Sequence, residues 1–159
     1  PEDVPRDTTV ISSNGFAEGR AGDTMRTAFF DFTVSGAEFA ETYGETVKPS
    51  AGMKLLVVNM SVTGTFDKPV HMYDSDFQVQ WGKTGDEDFA VPVTYETNKY
   101  TEGMLEPEYD LMPGQTVSGD LVYEVPEGYE NFFLAFQEYF EDEGLGDAFF
   151  VDFSAGPEH

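Results

Sequence analysis

The sequence predicts an all-β domain, an antiparallel sandwich or barrel of seven or eight short strands. Three observations carry this prediction. Apolar and polar residues alternate with a period of two through several runs, which turns one face of each run toward a core. Turn residues punctuate the runs, most plainly Pro113-Gly114 and Pro126-Glu127-Gly128. Aromatic residues make up 15% of the chain, with 15 Phe and 8 Tyr, and such side chains suit a pleated, half-buried surface. The 159 residues fit one domain. A chain of this size buries roughly two-thirds of the surface its unfolded form exposes, enough for a full core.

Residues 1–23 are polar, with Gly and two prolines, and read as a flexible N-terminal tail ahead of a sandwich over residues 24–159. Val10, Ile11 and Phe16 are the tail residues able to dock. Ala28, Phe30, Phe32 and Val34 then share one strand face, with Arg26 at its start and Asp31 and Thr33 opposite. After a bend at Ser35-Gly36, Ala37 to Tyr43 is expected to continue extended, and residues 44–52 form a polar loop.

The clearest run is Met53 to Thr63. Leu56, Val58, Met60 and Val62 lie on one face and Asn59, Ser61 and Thr63 on the other, while Leu55 and Val57 make the first half apolar on both sides. This predicts a long central strand whose inner face packs with Phe30, Phe32, Leu121, Tyr123 and Phe136. Val70 to Tyr73 follows a turn, and Asp74-Ser75-Asp76 opens a strand carrying Phe77, Val79 and Trp81 in phase, with Trp81 expected in the core. Phe89 to Tyr95 is broken by Pro92 and reads as an edge strand. Residues 96–107 read as loop with Met104 and Leu105 dipping inward. Leu121 to Val125 is the next strand. Asn131 to Phe140 fits both a strand and a helical face, and its aromatics and flanking turns favour strand. Ala148 to Phe153 closes the domain.

Composition excludes several function classes. There are 31 acidic residues against 8 basic ones, a formal charge of −23, and such a field repels phosphate backbones and anionic headgroups. Nucleic acid is therefore not an expected partner. The charge keeps the chain soluble, and it also suits a salt-adapted source or a cationic partner. No apolar run approaches the ~20 residues of a membrane helix, so insertion into a membrane by this chain is not expected. Without cysteine, no disulfide, thiolate metal site or cysteine nucleophile exists.

Three segments together resemble a known family. They are Met53 to Val62 with the following Thr63-Gly64-Thr65-Phe66-Asp67-Lys68-Pro69-Val70 turn; Asp76-Phe77-Gln78-Val79; and Leu111-Met112-Pro113-Gly114 running into Gly119-Asp120-Leu121-Val122-Tyr123-Glu124-Val125-Pro126. The family is a bacterial cell-surface lipoprotein domain of unknown function, related in fold to a small secreted mycobacterial antigen. The likeness spans about Thr24 to Phe153. It implies an immunoglobulin-like antiparallel β-sandwich, export, and a lipid or peptide tether, and it carries no catalytic residues. With that resemblance, residues 1–23 read as a tether to the outer face of a membrane, and the start at Pro1 leads us to expect an export segment upstream.

No catalytic constellation is legible. The only histidines are His71, in a turn-to-strand segment, and His159, the last residue, and no Gly-x-Ser-x-Gly elbow accompanies them. Among so many carboxylates some pair always has hydrolase spacing, so an acid-pair hydrolase is the remotest alternative. No cofactor is expected. Acidic loops offer oxygen ligands for calcium, with Asp74, Asp76, Asp86, Asp88, Asp142 and Asp147 as candidate ligands, although none matches an EF-hand. Tyr95, Tyr100, Tyr109 and Tyr129 lie near loops and are candidates for an exposed ligand surface. The expectation is a non-enzymatic binding or accessory module at the cell envelope, extracellular and membrane-tethered. Its partner is a protein, or alternatively a carbohydrate or calcium.

Overall fold

The computed structural model describes residues 9–11, 15–43, 48–81, 88–90, 92, 103–106, 108–140 and 144–155. Their strands are β1 (Thr9–Ile11), β2 (Phe16–Arg20), β3 (Thr24–Arg26), β4 (Phe30–Ala40), β5 (Met53–Gly64), β6 (Val70–Tyr73), β7 (Phe77–Trp81), β8 (Asp88–Ala90), β9 (Glu108–Leu111), β10 (Thr116–Pro126), β11 (Asn131–Phe140) and β12 (Gly144–Ser154). They form one sheet in the order β1-β3-β4-β5-β10, a second in the order β2-β12-β11-β7-β8, and a ribbon of β6 and β9. The chain is an all-β sandwich.

Period-two alternation places the core between the two sheets. Leu56, Val58, Met60 and Val62 of β5 are all 0% exposed, with Phe30, Phe32, Leu121, Tyr123 and Phe136 buried beside them as the pattern predicts. β5 pairs antiparallel with β4 on one side and β10 on the other, Leu56 facing both Phe39 and Tyr123. Aromatic rings fill the gap between the sheets. Phe136 stacks on Phe77 at 5.1 Å and meets Phe30 edge-on at 5.1 Å, arrangements that add to the burial of their area. The Tyr123 hydroxyl donates to the Phe77 carbonyl at 2.8 Å, a buried hydrogen bond joining one sheet to the other.

The outward side chains of β5 explain its two-sided apolar start. Leu55 and Val57 form a second cluster with Val122, covered by Met104 and flanked by Ala40 and Tyr43. Met104 and Leu105 are both buried, and this strap lies along β10, with the Leu105 N–H donating to the Asp120 carbonyl at 2.9 Å. Gly119 makes the close approach possible, because a Cβ there would sit 2.8 Å from the Leu105 nitrogen.

The boundary expected at Asp23 does not hold. β1 pairs in parallel with β3, and β2 pairs in parallel with the last strand, β12, so the segment from Thr9 onward contributes an edge to each sheet. Ala17 is only 4% exposed and belongs to the main core. Composition misleads here because a short edge strand is held by backbone hydrogen bonds and needs few apolar side chains. Residues 1–8 and 12–14 lie outside the described residues.

Other differences have the same origin. The sequence joins Arg26 and Ala28 to the Phe30 strand, whereas the chain turns there. The Thr27 hydroxyl accepts from the N–H groups of Phe29 and Phe30, each at 3.1 Å, and donates to the Phe30 carbonyl at 2.9 Å. Asp74–Asp76 is a single 3-10 turn ahead of β7, and β9 occupies a stretch the sequence leaves unassigned. The short β1, β2, β3 and β9 raise the count among the described residues to twelve strands, against the seven or eight expected, while β8 is the edge strand expected to begin at Phe89. Asn131 to Phe140 is a strand, as its aromatics indicate.

Candidate binding surfaces

A cleft of about 600 Å³ opens at the pole where β5 begins and β10 ends. Its walls come from the end of β4 (Phe39, Ala40), Glu41, Pro49, the start of β5 (Met53, Lys54), the β10–β11 turn (Glu127, Glu130) and Ala155. The Glu127 N–H donates to the Gly52 carbonyl at 3.1 Å and the Ala155 N–H to the Glu130 carbonyl at 3.0 Å, which fixes the turn and the residue after β12 around the opening. Lys54 has the same parity as Leu56 and Val58, so its side chain heads inward at the mouth of the sandwich. Its ammonium sits 3.5 Å from the centroid of the Phe39 ring. This volume falls in the range of small-molecule sites, and the lining mixes apolar walls with a few charged groups, as such sites do.

Sequence reasoning did not single out Phe39, Lys54, Glu127 or Glu130. One signal was present: Lys54 is a charged residue in phase with the most apolar strand face in the chain.

The β6–β9 ribbon holds a second cluster. His71 lies opposite Asp110, and Tyr73 opposite Glu108. The ring bonds Asp110 through Nδ1 at 2.7 Å and Glu108 through Nε2 at 2.5 Å. Ionised carboxylates only accept, so this pair of contacts favours the imidazolium, in which both ring nitrogens carry hydrogen. The bond to Asp110, then that to Glu108, raises the His71 pKa above its ordinary 6.5. Tyr73 meets the ring edge-on at 4.9 Å. The clasp is solvent-exposed, and no nucleophile accompanies it among its contacts. His159 lies outside the described residues.

Of the calcium candidates, Asp74 is buried at the 3-10 turn, while Asp76 is exposed, its pKa raised by partial loss of hydration of the carboxyl. Asp147 donates its own N–H to Glu138 Oε1 at 3.0 Å. Asp88 lies in β8, and Asp86 and Asp142 fall outside the described residues. Among the described residues no three His, Asp or Glu side chains are grouped so as to hold a metal ion.

Of the tyrosine candidates, Tyr109 and Tyr129 do not form an exposed platform. Both are half-buried and pack against the main core, Tyr129 at 6.3 Å from the ring of Trp81, which is itself 5% exposed. Burial, then the carboxylates of Asp74 and Glu106, push the Tyr109 hydroxyl up to about 12. These tyrosines flank loops but point into the sandwich, because a tyrosine can bury its ring and keep its hydroxyl at the margin. Tyr95 and Tyr100 lie outside the described residues.

A family model matches residues 20–145, most of the chain and much of the range over which the motifs resembled a known family. The chain belongs to the DUF4352 family, a domain of unknown function. Solved structures share the fold of this DUF4352 domain. The secreted protein MPT63 of Mycobacterium tuberculosis superposes with a TM-score of 0.61 at 11% identity, over 89% of this chain and 99% of that one. A candidate lipoprotein of Bacillus subtilis, YcdA, gives 0.61 at 14% identity over 83% of this chain, which spans 38% of the YcdA chain. A candidate lipoprotein of Staphylococcus aureus gives 0.54 at 18% identity, over 87% of this chain and 94% of that one. None of the curated proteins matches the chain.

Proposed function

We propose that this DUF4352 domain is an exported, non-enzymatic binding module at the cell envelope, tethered to the outer face of a membrane and engaging a protein partner. The observation that carries the reading is its likeness over most of its length to exported sandwiches, among them two candidate lipoproteins and a secreted protein. The cleft between the sheets supports binding rather than turnover. It presents charged groups on apolar walls, and no side chain within it is a nucleophile paired with a base. The charge of −23 suits a domain held off an anionic lipid surface and open to partners in solution. A glycan-binding reading draws less support, since Tyr109 and Tyr129 pack inward.

The test is made in the producing cell. Protease added to intact cells should degrade the domain, and a photo-crosslinker placed at Met53, on the rim of the cleft, should trap a discrete protein adduct. Protection from protease until the cells are lysed would overturn the extracellular assignment. A domain that is digested but gives no adduct from any rim position would overturn the protein-binding assignment.

A further inference from the structure

We propose that the β6–β9 ribbon is a proton-operated latch, closed while the His71 ring is doubly protonated and opening locally when the ring loses a proton. The latch is independent of the partner binding proposed above.

The ribbon stands apart from the rest of the sandwich. It joins neither five-stranded sheet, and its two strands meet over four residue pairs, from Val70↔Leu111 to Tyr73↔Glu108. A two-stranded ladder this short is marginal in water, so side chains must hold it. Its inner face supplies Met72 and Leu111 to the main core, and Val70 and Tyr109 pack against the same cluster. Its outer face carries His71, Tyr73, Glu108 and Asp110, all exposed.

These four outward side chains meet at one ring. His71 bonds Asp110 through Nδ1 and Glu108 through Nε2, and the Tyr73 ring packs against it edge-on. The outer half of the ribbon is therefore held through a single titratable group. An imidazolium donates from both nitrogens, whereas the neutral ring donates from one and presents a lone pair at the other. A carboxylate only accepts, so loss of the proton removes one of the two bonds and sets a lone pair against an anion. Glu108 and Asp110, two residues apart on one face of β9, are then left as like charges with no cation between them.

The titratable groups facing His71 are Asp110 and Glu108 from β9 and Tyr73 from its own strand. Tyr109, between the two carboxylates in sequence, turns inward. Its hydroxyl is pushed up to about 12, so it stays protonated while His71 titrates. Carboxylates ordinarily titrate near pH ~4, which leaves His71 as the member of the cluster that changes charge around neutral pH. Its bonds to Asp110 and Glu108 move that change above the ordinary 6.5. The latch is thus fully closed below that value and loosens as pH rises through the folded pKa. The sheets do not share the change. β5 and β10 pair over eleven residues, in a ladder separate from that of the ribbon.

The experiment is amide hydrogen exchange on the full chain at constant ionic strength, read as protection factors corrected for the intrinsic rate at each pH. From about pH 5.5 to about pH 8.5, protection of the ribbon amides at 70–73 and 108–111 should fall about threefold, while protection in β5 and β11 should not follow. His71→Gln, neutral at every pH, should show the lower ribbon protection throughout. Glu108→Gln/Asp110→Asn should likewise lose the pH dependence. Ribbon protection that stays constant with pH in the wild type would overturn the proposal. So would a pH-dependent loss that survives in His71→Gln, or one shared equally by β5 and β11. The core amides of each variant report whether it is folded, and the wild-type comparison decides the matter without them.

Discussion

The two poles of the sandwich solve the same problem differently. At the pole where β4 begins and β11 ends, the sheets are stitched by one carboxylate. Glu138 is 4% exposed, and its two oxygens accept from the Ala28 N–H at 2.6 Å and the Asp147 N–H at 3.0 Å, joining the β3–β4 turn of one sheet to β11 and β12 of the other. At the opposite pole Glu41, Glu127 and Glu130 line the open cleft, and among the described residues their side chains have no such partners. The same residue type therefore seals one end and decorates the other. The difference teaches that a carboxylate's role in this chain follows from whether backbone donors have been left for it, and the acid count alone says nothing of it.

The contrast can be broken or sharpened by substitution. The largest effect is expected at the shared core. Leu56→Ala leaves a cavity between the sheets and should cost about 2–5 kcal/mol in a denaturant titration, with both poles lost together. A loss under about 1 kcal/mol would mean the site collapses easily. Glu138→Ala strands two backbone donors at the closed pole and should cost about 2–4 kcal/mol, whereas Glu127→Ala at the open pole should stay within about 0.5 kcal/mol. Equal costs for these two would erase the distinction between the poles.

Salt should act on the exposed acids and spare the buried Glu138. With 31 acidic residues against 8 basic ones, self-repulsion opposes the compact state, and screening relieves it. The melting temperature should rise steadily from about 0.1 M to about 2 M KCl in the wild type, and the destabilisation by Glu138→Ala should change little across that range. A melting temperature independent of KCl would show that the charges are too dispersed to matter.

The smallest effect concerns the ribbon. Its exposed clasp raises the folded-state pKa of His71 above the unfolded value of 6.5. Stability from the clasp is then fully present below that value and fades as pH rises through the folded pKa. The C–H resonances of His71 should titrate above pH 6.5, and Asp110→Asn should lower their midpoint. A midpoint unmoved by that substitution would show the contact absent in solution.

Much of the fold was legible because β5, β10, β11 and β12 are long and bury one face, so their period is written in side chains. Leu56 and Val62 could be placed in the core from parity alone. The edge strands were not legible. β1 and β2 hold to the sheets through backbone groups that every residue carries, and Thr9 to Arg20 therefore looks like tail. Of the cleft, Lys54 left a trace as a charge in phase with an apolar strand face, but Glu127 and Glu130 left none. Their place in the same lining as Phe39 depends on the β10–β11 turn bonding Gly52, a contact between segments far apart in sequence. Tyr109 and Tyr129 pack against the core despite lying near loops, because loop proximity in sequence does not set ring direction.

The parallel pairing of β2 with β12 has a mechanical consequence. The first strand of this sheet in sequence lies beside the last, and the two run in the same direction over five residue pairs from Ala148↔Phe16 to Asp152↔Arg20. Tension applied between Thr9 and Ala155 pulls these strands past each other along their length. All the bonds of the ladder then share the strain, where a hairpin pulled from its open end would lose its bonds in succession. In single-molecule extension the domain should resist until a single abrupt rupture, and Gly19→Pro, which removes a donor from β2, should lower that force. Stepwise yielding at low force would show that the ladder is peeled. A module held at one end by an anchor and gripped elsewhere by its partner would be built to keep its shape under drag.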